Sequence, residues 1–373
     1  MKILIVMTIA EQKGGAELAL QHLIQYGRNV SVEWITVFFE DGPMVSQFQA
    51  FGIKTYVVPS GRLREPHRLI ATVAQIATIA RQNNADLIFS WMTKAQIYGG
   101  LAAVFAQTPS LWYQWGMPSH NSLLDRVATL MPTVGILACS QITAQAQKQL
   151  HPLRPVQVVY PSAELEKFDL KLLPTPDKIR HQLGLPHKGA LIGIVGRLQH
   201  WKGMHTLVEA MPQILQRYPD THCVLIGGKH DLEPEYGEFL ERQIQAFGLE
   251  RTVIMTGFQS NIPEWMQAID IFVHASDNEP FGIVIIEAMA LAKPTIAGNQ
   301  GGPTEIITDG INGLLSPYGD ANALAQAILR YLDNPEFAQR LSQAAYTRAM
   351  DFSTQQYVQN FTDAVQKLSL ASV

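Results

Sequence analysis

Short apolar runs set between helical stretches, from one end of the chain to the other, constrain this sequence more than any other feature. Lys2–Met7, Val30–Phe39, Lys54–Val58, Ala85–Trp91, Ser110–Trp115 and Val134–Cys139 read as strands in the first half, with helical stretches such as Ala16–Gln25 and Leu69–Gln82 between them. The second half repeats the pattern with Leu191–Val195, His222–Ile226, Thr252–Met255, Ile271–His274 and Thr295–Ala297. Continuous apolar strands separated by helices predict parallel sheets covered on both faces. The expected class is therefore α/β, with two doubly wound domains in tandem facing a cleft.

At 373 residues the chain is long for one core, and two domains of roughly 150–200 residues are the default. Apolar content of 47% with 16% charged residues fits a well-buried globular protein. Pro161, Pro174, Pro176 and Pro186 cluster among Lys and Asp, which places the break. The expected organisation is a first domain over 1–161, a linker over 162–187, a second domain over 188–350, and a last segment over 351–373. Residues 1–160 carry 12 Lys/Arg and 8 Asp/Glu, the remainder 16 and 24. The mildly basic first half suits an acidic acceptor or an anionic membrane surface, and equally ordinary solvated surface.

Cys139 and Cys223 fall in different halves, so neither a stabilising disulfide nor a metal cluster is expected, which suits the cytoplasm. The apolar start Ile3–Ala10 is short, lacks an A-x-A site and meets Glu11 at once, so it reads as a first strand rather than a signal. No run of 18 apolar residues exists. Arg62, Arg64, His67 and Arg68 precede a helix on which Ile70, Val73, Ala77 and Ala80 share one face. That pattern fits a helix lying on an anionic bilayer and also one packed on a sheet. No D-x-D, H-E-x-x-H, P-loop or G-x-G-x-x-G motif is present, which argues against a metal-dependent transferase, a zinc hydrolase, a P-loop enzyme and a dinucleotide oxidoreductase.

The chemistry concentrates in Glu279-Pro280-Phe281-Gly282-Ile283-Val284-Ile285-Ile286-Glu287. On one continuous helix the two carboxylates would stand about 80° and about 12 Å apart. Pro280 and Gly282 instead put Glu279 on a loop and start a helix near Gly282 that carries Glu287 in its second turn. Glu279 is then aimed in front of a helix N-terminus, where free N–H groups favour a phosphate. Taken alone, the two also read as solvated turn and helix residues. Arg197 and Lys202, in Gly196-Arg197-Leu198-Gln199-His200-Trp201-Lys202-Gly203, follow a strand at the carboxyl edge, where ligands bind in open α/β sheets. Two cations at a helix start oppose the helix dipole unless an anion sits there. Gly14 and Gly15 precede the first helix and allow close backbone approach to a ligand.

These stretches, with Gly14-Gly15-Ala16-Glu17 and Gly301-Gly302-Pro303-Thr304-Glu305, resemble in order and spacing the retaining nucleotide-sugar glycosyltransferases of family 4 over nearly the whole chain. The resemblance implies the GT-B arrangement of two Rossmann-like domains, with the last helix, expected at Tyr357–Leu370, crossing back to the first. It implies a metal-independent enzyme without cofactor that moves a hexosyl group from a nucleoside-diphosphate sugar to an acceptor hydroxyl with retention. The acceptor would be a carbohydrate or glycolipid held by the first domain, with peripheral contact to a membrane's inner face and no nucleic-acid partner.

By the same resemblance Arg197 and Lys202 hold the donor diphosphate and Glu279 acts on the transferred sugar; these three are the expected catalytic residues. Phe281, Gly282 and Ile283 would offer backbone N–H groups to sugar and phosphate, Gly14 and Gly15 would touch donor or acceptor, and Glu287 would bind the ribose hydroxyls. Gly257-Phe258 and Gly228-Lys229 are candidates for the base pocket. The chain departs from the pattern at Gln114-Trp115, where the family often has a histidine. Neither residue replaces an imidazole in proton chemistry, so that role is not carried over, although Trp112, Tyr113 and Trp115 suit stacking on an acceptor sugar or burial in a strand. A nucleotide-sugar epimerase and a non-catalytic two-domain sugar-binding protein are the competing readings.

Overall fold

The strands form two separate sheets, each parallel throughout. In this computed structural model, which describes residues 1–12, 14–29 and 31–370, one unit comprises Met1–Ser162 with the C-terminal helix Thr354–Leu370, and the other Ala163–Ser353. The first sheet contains β1 (Lys2–Met7), β2 (Glu33–Phe38), β3 (Lys54–Val57), β4 (Leu87–Trp91), β5 (Ser110–Gln114), β6 (Gly135–Ala138) and β7 (Val156–Val158) in the order β3-β2-β1-β4-β5-β6-β7. The second contains β8 (Leu191–Val195), β9 (His222–Ile226), β10 (Val253–Gly257), β11 (Ile271–His274), β12 (Thr295–Gly298) and β13 (Leu314–Ser316) in the order β10-β9-β8-β11-β12-β13.

Both sheets reverse direction of growth once, between β1 and β4 and between β8 and β11. The connections leave the sheet to opposite sides there, and a crevice opens at the carboxyl ends of those strands. Central strands are buried on both faces, as continuous apolar runs require; every residue of β4 and of β11 is buried. The three-residue edge strands β7 and β13 have no long apolar run behind them, so the sequence did not announce them. The expected strand Val30–Phe39 is shorter, and Val30 itself lies outside the described residues.

Of the segment 162–187, expected as a linker, residues 163–187 belong to the second unit. Helix Pro176–Leu183 buries Ile179 and Arg180. Arg180 Nε donates to the Ala268 carbonyl at 2.9 Å, and Arg180 Nη2 to Asp270 Oδ2 at 2.7 Å. Asp270 Oδ2 also accepts from the Leu191 N–H, so one carboxylate ties this helix to the start of β8. The prolines that suggested a linker include the N1 residue of that helix, where a missing N–H costs nothing.

Helix Pro66–Gln82 turns Val73, Ile76, Ala77 and Ala80 onto the first sheet, and of the apolar face expected for a bilayer only Ile70 is exposed. That face is a sheet-packing face. Helix Thr354–Leu370 returns to the first unit, where Phe361 packs 5.0 Å from the Phe89 ring and 6.3 Å from Trp34. Trp91, Tyr113 and Trp115 complete this aromatic cluster, with Trp91 and Trp115 stacked at 5.6 Å. Trp112, Tyr113 and Trp115 are all buried, so of their two expected roles burial holds and a sugar-stacking surface does not. The two cysteines are buried, one in each unit, and form no disulfide with each other.

Candidate functional site

The second unit gathers its chemistry at the reversal between β8 and β11. The loop after β8 carries Arg197 and Lys202, and the loop after β11 carries Glu279. Lys202 Nζ donates to Glu279 Oε2 at 2.5 Å, with both side chains largely buried at 15% and 14% exposure. The two loops are joined at the backbone, since Asp277 N–H donates to the Trp201 carbonyl at 2.8 Å. Lys202 Nζ also lies 4.0 Å above the Trp201 ring, a favourable position for a cation. Gly203 closes the first loop with φ +71°; a Cβ there would stand 2.0 Å from the Ala275 carbonyl oxygen, so only glycine fits.

Burial alone would raise the Glu279 carboxyl pKa. The Lys202 cation, with hydrogen bonding from His274 and Lys202, more than offsets this and holds it well below the ordinary carboxylate range. His274, the last residue of β11, places Nε2 3.4 Å from Glu279 Oε2. Just before Glu279, Asn278 takes φ +40°, a left-handed conformation that Asn tolerates. A third loop braces the pair: Gly302 N–H donates to the Glu279 carbonyl at 2.7 Å, and a Cβ on Gly301 would meet that same oxygen at 2.5 Å. Glu305 lies just beyond, in the short helix Pro303–Ile306.

Arg197 is partly buried, with Nη1 3.1 Å from His230 Nε2. The loop after β9 is fastened to the Arg197–Lys202 loop, because Glu233 accepts from the His200 N–H at 2.7 Å and Leu198 N–H donates to the Gly228 carbonyl at 2.9 Å. Phe258 follows β10, is 79% exposed, and packs beside Gly228. The loops after β8, β9, β10, β11 and β12 thus meet at one carboxyl edge.

Gly282 caps helix Ile283–Ala290, so Ile283 opens the helix as the spacing predicted. The first N–H groups of that helix lie outside its i→i−4 ladder, next to Glu279. The Phe281 ring is buried 5.6 Å from Phe352, which anchors the loop before the helix. Glu287 lies in the second turn. Burial raises its pKa to about 7, with Lys167 lowering and Glu164 raising it further. Gly14 and Gly15 stand in the first unit, after β1 and beside the reversal to β4; Gly14 is the N-cap of helix Gly15–Tyr26.

Gln114 and Trp115, at the position of the family histidine, point their polar and aromatic groups inward. Gln114 Oε1 accepts from Thr93 Oγ1 and from the Gly116 N–H, while Trp115 is 9% exposed. The residue that sequence reasoning missed is His274. Its signal was a polar residue closing the apolar run Ile271-Phe272-Val273-His274 at the ligand-binding edge. His230 and Glu233 gave no such signal. Among the described residues no His, Cys, Asp and Glu side chains cluster as a metal site, and no helix is long and apolar enough to cross a membrane.

Two parallel-sheet Rossmann-like units define the GT-B class of fold seen in glycosyltransferases. Residues 176–348 match the model of the family described as Glycosyl transferases group 1. The chain is similar to the D-inositol 3-phosphate glycosyltransferase of Corynebacterium urealyticum, with 34% identity over 197 residues, covering 51% of this chain and 46% of that protein. It spans about half the length of the curated relatives it matches. Anabaena HepE in complex with UDP superposes with a TM-score of 0.88 at 27% identity, over 98% of this chain and 100% of HepE. HepE in complex with UDP-glucose gives 0.86 over the same shares and at the same identity.

Proposed function

We propose that the protein transfers a hexosyl group from a nucleoside-diphosphate sugar to an acceptor hydroxyl, with retention and without a metal ion. The observation that carries this reading is the Lys202–Glu279 pair at the β8/β11 reversal, flanked by Arg197 and by the N-terminus of helix Ile283–Ala290. When a glycosidic bond to a diphosphate breaks, negative charge grows on the leaving oxygens and positive charge on the sugar ring. Two cations and a helix N-terminus answer the first demand, and an ionised Glu279 the second. In this reading the leaving charge is met by Arg197, Lys202 and the helix N-terminus.

The binding of UDP and UDP-glucose by HepE supports a uridine diphosphate sugar as donor. Glu287, with two acceptor oxygens on the same helix, is the proposed partner of the ribose hydroxyls, and the N–H groups of Phe281, Gly282 and Ile283 of sugar and phosphate. Gly14 and Gly15 are the proposed contact from the first unit, which would hold a carbohydrate or glycolipid acceptor.

Calorimetry with nucleoside diphosphates and steady-state kinetics with the matching sugar donor test the reading. Arg197→Ala and Lys202→Ala should each lower kcat/KM about 10²–10³-fold, the usual cost of losing one such donor. Near wild-type kcat/KM in both would sink the diphosphate assignment. A peripheral contact with an anionic membrane is proposed through Arg62, Arg64, His67 and Arg68, which are all exposed at the start of helix Pro66–Gln82. Since the apolar face of that helix is packed, charge alone would carry it, and failure to co-sediment with anionic vesicles at low salt would end it.

A further inference from the structure

Behind Glu279 the second unit contains a small, largely enclosed cavity of about 10 Å³, lined among others by Thr206, His274, Ala297, Ser316 and Leu324. That is the space taken by one water molecule. Three of these residues each bury a polar atom that has no protein hydrogen-bond partner: Thr206 Oγ1, His274 Nδ1 and Ser316 Oγ. They are 2%, 2% and 6% exposed, and they come from helix Met204–Leu215, from β11 and from β13. Buried polar atoms are paired in folded proteins, so three such atoms on residues that line one water-sized cavity point to a ligand of that size.

The other edge of His274 faces the site, with Nε2 3.4 Å from Glu279 Oε2 and 3.3 Å from Ser276 Oγ. An ionised carboxylate only accepts, so the proton of this imidazole belongs on Nε2. Nδ1 must then accept a hydrogen bond, and the cavity is where a donor would sit.

We propose that an internal water bridges Thr206 Oγ1, Ser316 Oγ and His274 Nδ1, and that it makes His274 a positioning residue for Glu279. The water donates to Nδ1 and accepts from the two hydroxyls, which leaves each of the three buried atoms paired. The imidazole is thereby locked with its Nε2–H toward the carboxylate. Lys202 holds Glu279 from one side, and His274 fixes its direction from the buried side. The catalytic half of this inference rests on the reading that Glu279 acts on the transferred sugar.

A crystal structure at atomic resolution and ¹⁵N NMR of the histidine-labelled protein test it together. The expected result is one water within hydrogen-bond distance of all three atoms, and the shift pattern of an Nε2-protonated ring for His274. Thr206→Val with Ser316→Ala should expel the water and mix the tautomers. It should also lower kcat about tenfold, the lower end for losing an orienting outer contact, with nucleoside diphosphate affinity unchanged. Thr206→Ser, which retains the hydroxyl, should keep the water. An empty cavity or an Nδ1-protonated ring in the unmodified protein overturns the proposal even if the double variant does not fold. Wild-type kcat in a folded, dry double variant overturns the positioning role. Wild-type kcat in Glu279→Gln would instead remove Glu279 from the reaction, while the water and tautomer readouts still judge His274.

Discussion

Glu279 is a carboxylate that burial pushes toward its neutral form and that Lys202 and His274 keep ionised. Its folded-state pKa lies below the unfolded value. The stability it contributes is therefore present above about pH 4.5 and lost as pH falls through the depressed folded value. Glu279→Gln keeps the size but removes the charge, and should lower kcat about 10²–10³-fold if that charge stabilises the transition state. Nucleoside diphosphate affinity should hold or rise, because Lys202 is released from its carboxylate partner. Steady-state kinetics and calorimetry separate these effects, and unchanged turnover would return Glu279 to a structural ion pair. Glu287 has the opposite sign. Burial raises its pKa to about 7 from the ordinary carboxylate value of 4.5. Its contribution is full below pH 4.5 and is lost as pH rises through about 7. Glu287→Gln avoids that loss, so the difference in Tm, variant minus wild type, should grow from pH 4.5 to pH 8 in thermal scans. A flat difference would show that Glu287 is not desolvated.

At the scale of elements, helix Pro176–Leu183 is tied to the start of the second sheet through one buried side chain. Arg180 is 5% exposed and serves the Ala268 carbonyl and Asp270, which in turn holds the Leu191 N–H. Arg180→Met keeps much of the apolar stem and removes both hydrogen bonds. The side chain of Asp270 is 45% exposed, so water can replace the guanidinium in part. The expected cost is about 1–3 kcal/mol, mainly from the carbonyl and the start of β8. Urea unfolding followed in the second unit measures it, and an unchanged midpoint would mean that the helix is only loosely attached. The site loops depend on such element-level joints as well. The Lys202 loop and the Glu279 loop are linked through Trp201 and Asp277, so the pair is held by two strand ends rather than by one flexible turn.

At the scale of the whole molecule, the first unit is completed by the last helix of the chain. Phe361 is fully buried among Phe89, Trp91, Tyr113 and Tyr357. Phe361→Ala should cost about 3–5 kcal/mol, the range for emptying a packed aromatic site. Hydrogen exchange read by mass spectrometry should show lost protection across β1, β4 and β5, and little change in β8–β13. Equal loss in both sheets would contradict two separately cored units.

What the sequence by itself determined follows from periodicity and punctuation. Apolar runs such as Lys2–Met7, Leu191–Val195 and Ile271–His274 are strands to the residue, because a strand buried on both faces has to be apolar throughout. Gly282 at the head of helix Ile283–Ala290 was legible for a similar reason, since backbone chemistry is local. The edge strands β7 and β13 were not legible, because three residues paired on one side carry too little apolar pattern. Only the tertiary structure decided that Lys202 meets Glu279, 77 positions away, since strand order and not spacing sets them side by side. It alone turned Val73 and Ala77 onto a sheet, folded 163–187 into the second unit, and placed His274 between Glu279 and a buried cavity. Burial and pairing at long range depend on which surfaces meet, and one-dimensional spacing does not record that.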